Sequence, residues 1–174
     1  MDATAISSTE LDVATLVLRL ALGPMLVLHG LNKVQGGLSG TASWFESLGL
    51  RPGWLHARLA AFTEIGAGVL VTLGLLTGLA AMAFVGLMTV AALTDHRGKG
   101  YFIFKGGAEY VVLVAMAAVV LAVVGPGRWS LDSAFGLDLA GIGWGAVALV
   151  GGVAAAAGLL AMFYRPRPTT RSNA

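Results

Sequence analysis

Residues 11–31 read LDVATLVLRLALGPMLVLHGL. This run is long enough to cross a hydrocarbon core, which takes about 20 helical residues, yet Arg19 sits near its middle. A charge at the bilayer centre costs roughly 3 kcal/mol even on insertion-derived scales, so such a residue faces protein and has a partner. A second apolar run, at about residues 55–76, carries Glu64 in the same way. Membrane helices with charges turned inward are the expected architecture.

Three more spans extend the pattern, at about residues 78–94, 108–124 and 139–163, with Thr77 and Gly78 forming a tight hairpin between the second and third. The chain is 57% hydrophobic and 11% charged, too few polar residues to cover a water-soluble core of 174 residues. The alternation of a transmembrane barrel is absent. The reading is therefore an all-α polytopic membrane protein. The acidic segment 1–10, with Asp2 and Glu10, lacks the basic start of a cleaved signal peptide and is expected to stay attached as an outer tail.

Basic residues orient the spans. With the N-terminus outside, the inner side receives Lys33, Arg51, Arg58, Arg97, Lys99, Lys105, Arg165, Arg167 and Arg171, and the outer side only Arg128. This asymmetry predicts N-out and C-in, with residues 165–174 as a basic cytoplasmic tail. The net charge of +2 is small and gathered at membrane edges, so nucleic acid is not an expected partner, whereas membrane lipids are. With no cysteine, thiolate chemistry and cysteine-ligated clusters are excluded within the chain. Any redox role must use a bound cofactor or a partner.

Helical geometry places the polar residues. At 100° per residue, Arg19, Gly23, Gly30 and Lys33 fall within about 40° of one face of the first span, with His29 beside them. Pro24 frees the carbonyl of Leu20 and is expected to kink that helix. On the second span Ala57, Ala60, Ala61, Glu64 and Gly68 share a face of small residues that marks close packing. Arg19 and Glu64 are thus expected in one buried polar network, either a structural ion pair fixing register or part of a functional site.

Other polar residues gather toward the inner ends: His29, Asn32 and Lys33, then Asp95 and His96, then Lys105 and Glu109. They suggest a polar vestibule in which Lys33 and His96 suit an anionic or quinone-like oxygen and Glu64 or Glu109 suits proton transfer. The bland alternative is headgroup contact by long side chains. The expected ligand residues are His29, Lys33, Glu64, His96 and Glu109. His29, His56 and His96 raise haem, but bis-histidine ligation needs imidazoles at facing positions inside a bundle, and these lie near one boundary. Haem is not expected, and no spacing diagnostic of another metal is present.

Two connections are more than linkers. Residues 41–48 are expected to form a short interfacial helix with Trp44, Phe45 and Leu48 on one side. The loop 98–107 carries Tyr101, Phe102 and Phe104 between lysines, suited to headgroup depth or to capping a cavity. On the fifth span Gly141, Gly145, Ala148, Gly152 and Ala156 give one side that can approach another helix closely, in its own bundle or in a second protomer. Its lack of charge argues against a catalytic part.

An arginine early in the first span, His29-Gly30 followed by Lys33, Glu64 with Gly66, Gly68 and Gly74, the Gly106-Gly107-Ala108-Glu109-Tyr110 opening of the fourth span, and the closing stretch from Gly125 to Asp132 together resemble the DoxX family of bacterial and archaeal membrane proteins. The resemblance covers about residues 13–132. It implies a four-helix membrane core over residues 11–132 in a bacterial plasma membrane, to which residues 133–164 add a fifth span. It also implies a link to quinone-coupled redox complexes. By position the family pattern falls on Arg19, His29, Gly30, Lys33, Glu64, Glu109 and Gly125. Three functions follow: a redox-complex subunit holding a quinone or other lipid-soluble ligand, a scaffold recruiting soluble redox enzymes, or a small transporter with Arg19 and Glu64 on its path. A homo-oligomer or larger complex through the fifth helix is expected with any of them.

Overall fold

Each apolar run becomes a helix, and what ends each helix is visible locally. In a computed structural model that describes residues 7–166, α1 spans Ser8–Gln35. It begins three residues before the first apolar residue because Ser7 and Glu10 form a capping box: Glu10 N donates to Ser7 Oγ at 3.2 Å and Ser7 N to Glu10 Oε2 at 2.8 Å. Pro24 lies inside α1 without interrupting it. The short α2, Leu38–Leu48, forms where residues 41–48 were expected to be helical. It is followed by α3, Gly53–Leu73, and α4, Thr77–Leu93.

The hairpin between α3 and α4 lies earlier than the sequence suggested. Thr77 and Gly78 already belong to α4, and the turn is Gly74, Leu75 and Leu76. Gly74 ends α3 in the left-handed region, at φ 64°, and Leu76 adopts φ 50°, a conformation that costs a residue with a Cβ about 1–2 kcal/mol. A carboxylate from far along the chain holds that turn: Asp132 Oδ1 accepts from Leu76 N at 2.7 Å and Oδ2 from Thr77 N at 2.9 Å. The long-range cap replaces the turn chemistry that the local sequence lacks.

After the loop containing a 3₁₀ turn at Ile103–Lys105, α5 spans Glu109–Val124 and α6 is the single turn and a half Leu131–Phe135. The final helix, α7, runs Ile142–Phe163 with a π-helical stretch at Val147–Gly151. Among the described residues there is no strand, only an isolated bridge between Leu50 and Tyr164.

α1, α3, α4 and α5 pack in a closed ring around Leu22, Leu26, Val71, Phe84 and Leu121, all buried. α1 and α3 are antiparallel and nearly in backbone contact. A Cβ on Gly23 would lie 2.7 Å from the Gly68 carbonyl, one on Gly68 would lie 2.6 Å from that of Gly23, and one on Gly30 would lie 2.7 Å from that of Ala61. This register sets Arg19 opposite Thr72 and Glu64 opposite Val27. α7 lies outside the ring on α4 and α5. Its small-residue side is used there: Gly145, Ala148, Gly152 and Ala156 are buried, and a Cβ on Gly152 would lie 2.7 Å from the Met82 carbonyl.

Large apolar side chains cover the outside of the bundle, among them Val17, Leu28, Phe62, Leu113, Ile142 and Val150, each more than 60% exposed. Such a perimeter belongs in lipid. The chain is a helical membrane protein with a four-helix core and a fifth, peripheral transmembrane helix. α1 and α7 are long and apolar enough to cross a membrane unaided, and α4 and α5 are shorter apolar helices.

Candidate ligand-binding site

The bundle has two polar centres, one at each end. At the α3–α4 turn, Arg19 is 3% exposed and spends its guanidinium on four backbone carbonyls. Nε donates to Val71 O at 3.2 Å, Nη2 to Thr72 O at 2.9 Å, and Nη1 to Pro126 O at 2.9 Å and Trp129 O at 2.8 Å. The first two are last-turn carbonyls of α3 at the negative end of the helix dipole, and Val71 O also accepts from Gly74 N at 3.1 Å. Arg19 therefore caps α3 and ties α1 to the turn after α5.

The stretch from Gly125 to Asp132 is built for this centre. Pro126 and Trp129 supply carbonyls to Arg19, Arg128 Nε meets Asp12 Oδ2 at 2.5 Å, Ser130 Oγ accepts from Ser133 N at 3.2 Å to start α6, and Asp132 holds the α3–α4 turn. The pairing of Asp12 with Arg128 escapes a sequence reading because 116 residues separate the partners. Asp12 is the one acid inside the first apolar run and Arg128 the one basic residue of the loop after α5.

The expected network joining Arg19 to Glu64 is not what forms. The register puts Glu64 about two turns, or roughly 11 Å, from the carbonyls that Arg19 caps, and its partner is Lys33. Lys33 Nζ donates to Glu64 Oε1 at 2.7 Å and Oε2 at 2.6 Å. Both side chains are largely buried. Lysine has three N–H donors, two of which Glu64 takes, so one remains for another acceptor.

This ion pair lies in the wall of a cavity of about 470 Å³ on the Lys33 side of the bundle. His29, Lys33, Glu64 and His96 all line it, together with Asp95. Glu109 does not. Its Oε2 instead accepts from Ile103 N at 3.0 Å, closing the 3₁₀ turn of the loop. The next residue, Tyr110, lines the cavity and directs its hydroxyl to the sulfur of Met25. Neighbouring helical residues point about 100° apart, and here Tyr110 faces the cavity while Glu109 turns back to the loop. Tyr110, Met25, Thr63 and Thr94 are cavity residues that the sequence reading did not single out.

The histidines have defined surroundings. His29 Nδ1 lies 2.9 Å from Met25 O, and His96 Nδ1 lies 2.6 Å from Gly106 O. A carbonyl only accepts, so each Nδ1 carries the hydrogen, and each Nε2 is an acceptor when the ring is neutral. His96 Nε2 is 4.0 Å from Asp95 Oδ2, and Asp95 also receives Lys99 at 3.2 Å. His56 lines the same cavity. No group of three His, Asp or Glu side chains converges to hold a metal ion among the described residues.

The remaining walls are apolar. Trp44, Phe45 and Leu48 of α2 contribute their shared side, and α7 contributes Ala155, Ala156 and Leu159. The fifth helix is thus part of the site's enclosure despite its lack of charge. None of residues 98–107 lines the cavity, and Tyr101, Phe102 and Phe104 are exposed, the placement suited to headgroups. The bottom of α7 is clamped to the α2–α3 turn by Arg51 N to Phe163 O at 3.0 Å and Arg165 N to Gly49 O at 2.7 Å.

A membrane bundle with one polar-lined cavity and an arginine-capped opposite end defines a class of small helical membrane proteins. Comparison with known proteins says which: the family model DoxX matches residues 14–97, and the chain belongs to the DoxX family. It is 36% identical over 121 residues to "Putative oxidoreductase CatD" of Bacillus subtilis (strain 168), covering 70% of this chain and 86% of that one. It is 30% identical over 128 residues to "Inner membrane protein YphA" of Escherichia coli (strain K12), covering 69% and 89%. No solved structure matches.

Proposed function

We propose that this protein is the membrane subunit of a redox-linked complex and that the Lys33-side cavity holds a quinone or a similar lipid-soluble ligand. The observation that carries the reading is the Lys33–Glu64 pair, with a spare ammonium N–H, set in the wall of an otherwise mostly apolar cavity. Pockets for small ligands have this character: apolar walls and a few convergent polar groups that fix orientation. The oxidoreductase in the name of the Bacillus subtilis relative supports it.

A bound quinone supplies a carrier for two electrons and two protons. Lys33 donates a hydrogen bond to a ring oxygen, and Glu64 holds Lys33 in place and can return a proton to it. The Nε2 of His96, beside Asp95, offers a second route for a proton from the Lys33 side. Electrons come from a partner, since the chain has no cysteine for redox chemistry of its own. The transporter reading placed Arg19 on a path, and Arg19 does not line the cavity.

Solvent extracts of the purified protein should yield a co-purifying quinone by mass spectrometry, and added short-chain quinone should raise its thermal midpoint. Lys33→Met should weaken retention about tenfold, the loss of one hydrogen bond to a polar ligand, with helical content unchanged by circular dichroism. A wild-type protein with neither ligand nor shift sinks the quinone reading and leaves the scaffold.

The proposed orientation puts this cavity toward the cytoplasm. Lys33, Arg51, Arg58, Arg97, Lys99, Lys105 and Arg165 lie on the cavity side and Arg128 on the other, and the positive-inside rule supports the orientation proposed from that asymmetry. Arg167 and Arg171 lie outside the described residues. In whole cells, single cysteines at the exposed Ser8 and Ser133 should react with a membrane-impermeant maleimide, and one at Ser47 only after permeabilisation. The reverse pattern inverts the topology.

A further inference from the structure

His56 stands apart from the other polar residues of the cavity. The residue is 3% exposed, and its Nε2 is buried with no hydrogen-bond partner, although His56 lines the cavity. The fifth helix backs it: the ring meets Phe163 edge-on, with centroids 5.1 Å apart and planes at 69°. A buried polar atom without a partner destabilises the protein that carries it. Such an atom just behind a cavity wall is accounted for if a bound ligand reaches it and supplies the partner.

Its position along α3 adds to this. His56 and Glu64 are eight residues apart on the same helix, about 12 Å along its axis, and Leu59, Ala60 and Thr63 line the cavity between them. The cavity therefore has hydrogen-bonding groups at two ends of a mainly apolar strip, Lys33 with Glu64 at one and His56 at the other. The chemistry of the two ends differs. An ammonium only donates, whereas a neutral imidazole nitrogen donates or accepts according to tautomer.

We propose that His56 is the second anchor of the cavity ligand: Lys33 holds one oxygen of a two-ended ring compound, and His56 Nε2 holds the other as a carbonyl or as a hydroxyl. The imidazole is the end that tolerates both members of a carbonyl/hydroxyl redox pair. This rests on the quinone reading above and adds to it a specific residue, a polarity at each end of the ligand and a part for the fifth helix.

The test uses the full-length protein in detergent, titrated with menadione and followed by quenching of tryptophan fluorescence, Trp44 being in the cavity wall. His56→Leu keeps an apolar side chain against Phe163 and removes the unpartnered nitrogen. It should weaken menadione binding about tenfold, the cost of one lost neutral hydrogen bond, while raising the thermal midpoint of the ligand-free protein. His56→Gln, whose amide can donate and accept, should bind within about threefold of wild type. Unchanged binding in His56→Leu overturns the anchor and leaves the quinone reading standing. A lowered ligand-free midpoint in His56→Leu also overturns it, because the histidine then serves the fold. Failure of the wild type to bind menadione overturns both readings.

Discussion

Arg19→Met should destabilise the protein by about 4 kcal/mol in reversible unfolding from detergent micelles. The substitution removes four hydrogen bonds from a charged donor and strands the carbonyls of Thr72, Pro126 and Trp129, while Val71 O keeps its bond from Gly74 N. Each buried acceptor left without a partner costs roughly 1–3 kcal/mol, and water that enters at the bundle end recovers part of the sum. A second expectation separates this residue from the opposite centre. Adding Glu64→Gln should change stability by the same amount in Arg19→Met as in wild type, because the two side chains share no partner. A coupling above about 1 kcal/mol would restore the single network and contradict the carbonyl cap.

Glu64→Leu should cost about 3 kcal/mol, since the Lys33 ammonium is left in a mostly apolar wall, and Lys33→Met should cost a similar amount by stranding the carboxylate. The double variant should recover most of the loss, because replacing both members of a buried pair by apolar groups is often close to neutral. The coupling energy in this cycle should reach about 2–3 kcal/mol. Additive losses would mean that each group is satisfied separately by water in the cavity. The double variant should still bind quinone about tenfold more weakly than wild type despite its recovered stability, which distinguishes a ligand site from a register lock.

The two cycles bear on how much of the site could be read from the chain alone. Composition and run length were enough for the architecture, because a helix that must satisfy its own backbone in lipid leaves few alternatives. The packing faces were legible too. Gly23, Gly30 and Gly68 are where α1 and α3 meet, and the glycine and alanine stripe of α7 seats on α4. Four of the five expected ligand residues, His29, Lys33, Glu64 and His96, line one cavity. Helical periodicity and the clustering of polar residues at one end carry that much.

The partners of the charges were not legible. Arg19 and Glu64 looked like a pair because each was an isolated charge in an apolar run, and opposite charges in lipid are expected to meet. Periodicity gives the face of each helix but not the axial offset between helices. In the fold that offset is set by where glycine backbones can touch, and it brings Arg19 level with Thr72 and leaves Glu64 to Lys33. Glu109 shows the same limit on a smaller scale, since a rotation of one residue hands the cavity to Tyr110.

Residues 1–174 thus carry in their order the number of spans, the sides that pack and the end at which polar groups collect. These properties are local or sum over a segment, and the solvent enforces them. Which carbonyls Arg19 caps, how Asp132 holds a leucine in the left-handed turn, and that His56 is enclosed beside Phe163 with its Nε2 unpartnered were settled only when distant segments came together. Hydrogen bonds and ion pairs act over about 3 Å, so they follow from the final offsets between helices, and no pattern within one helix records those offsets.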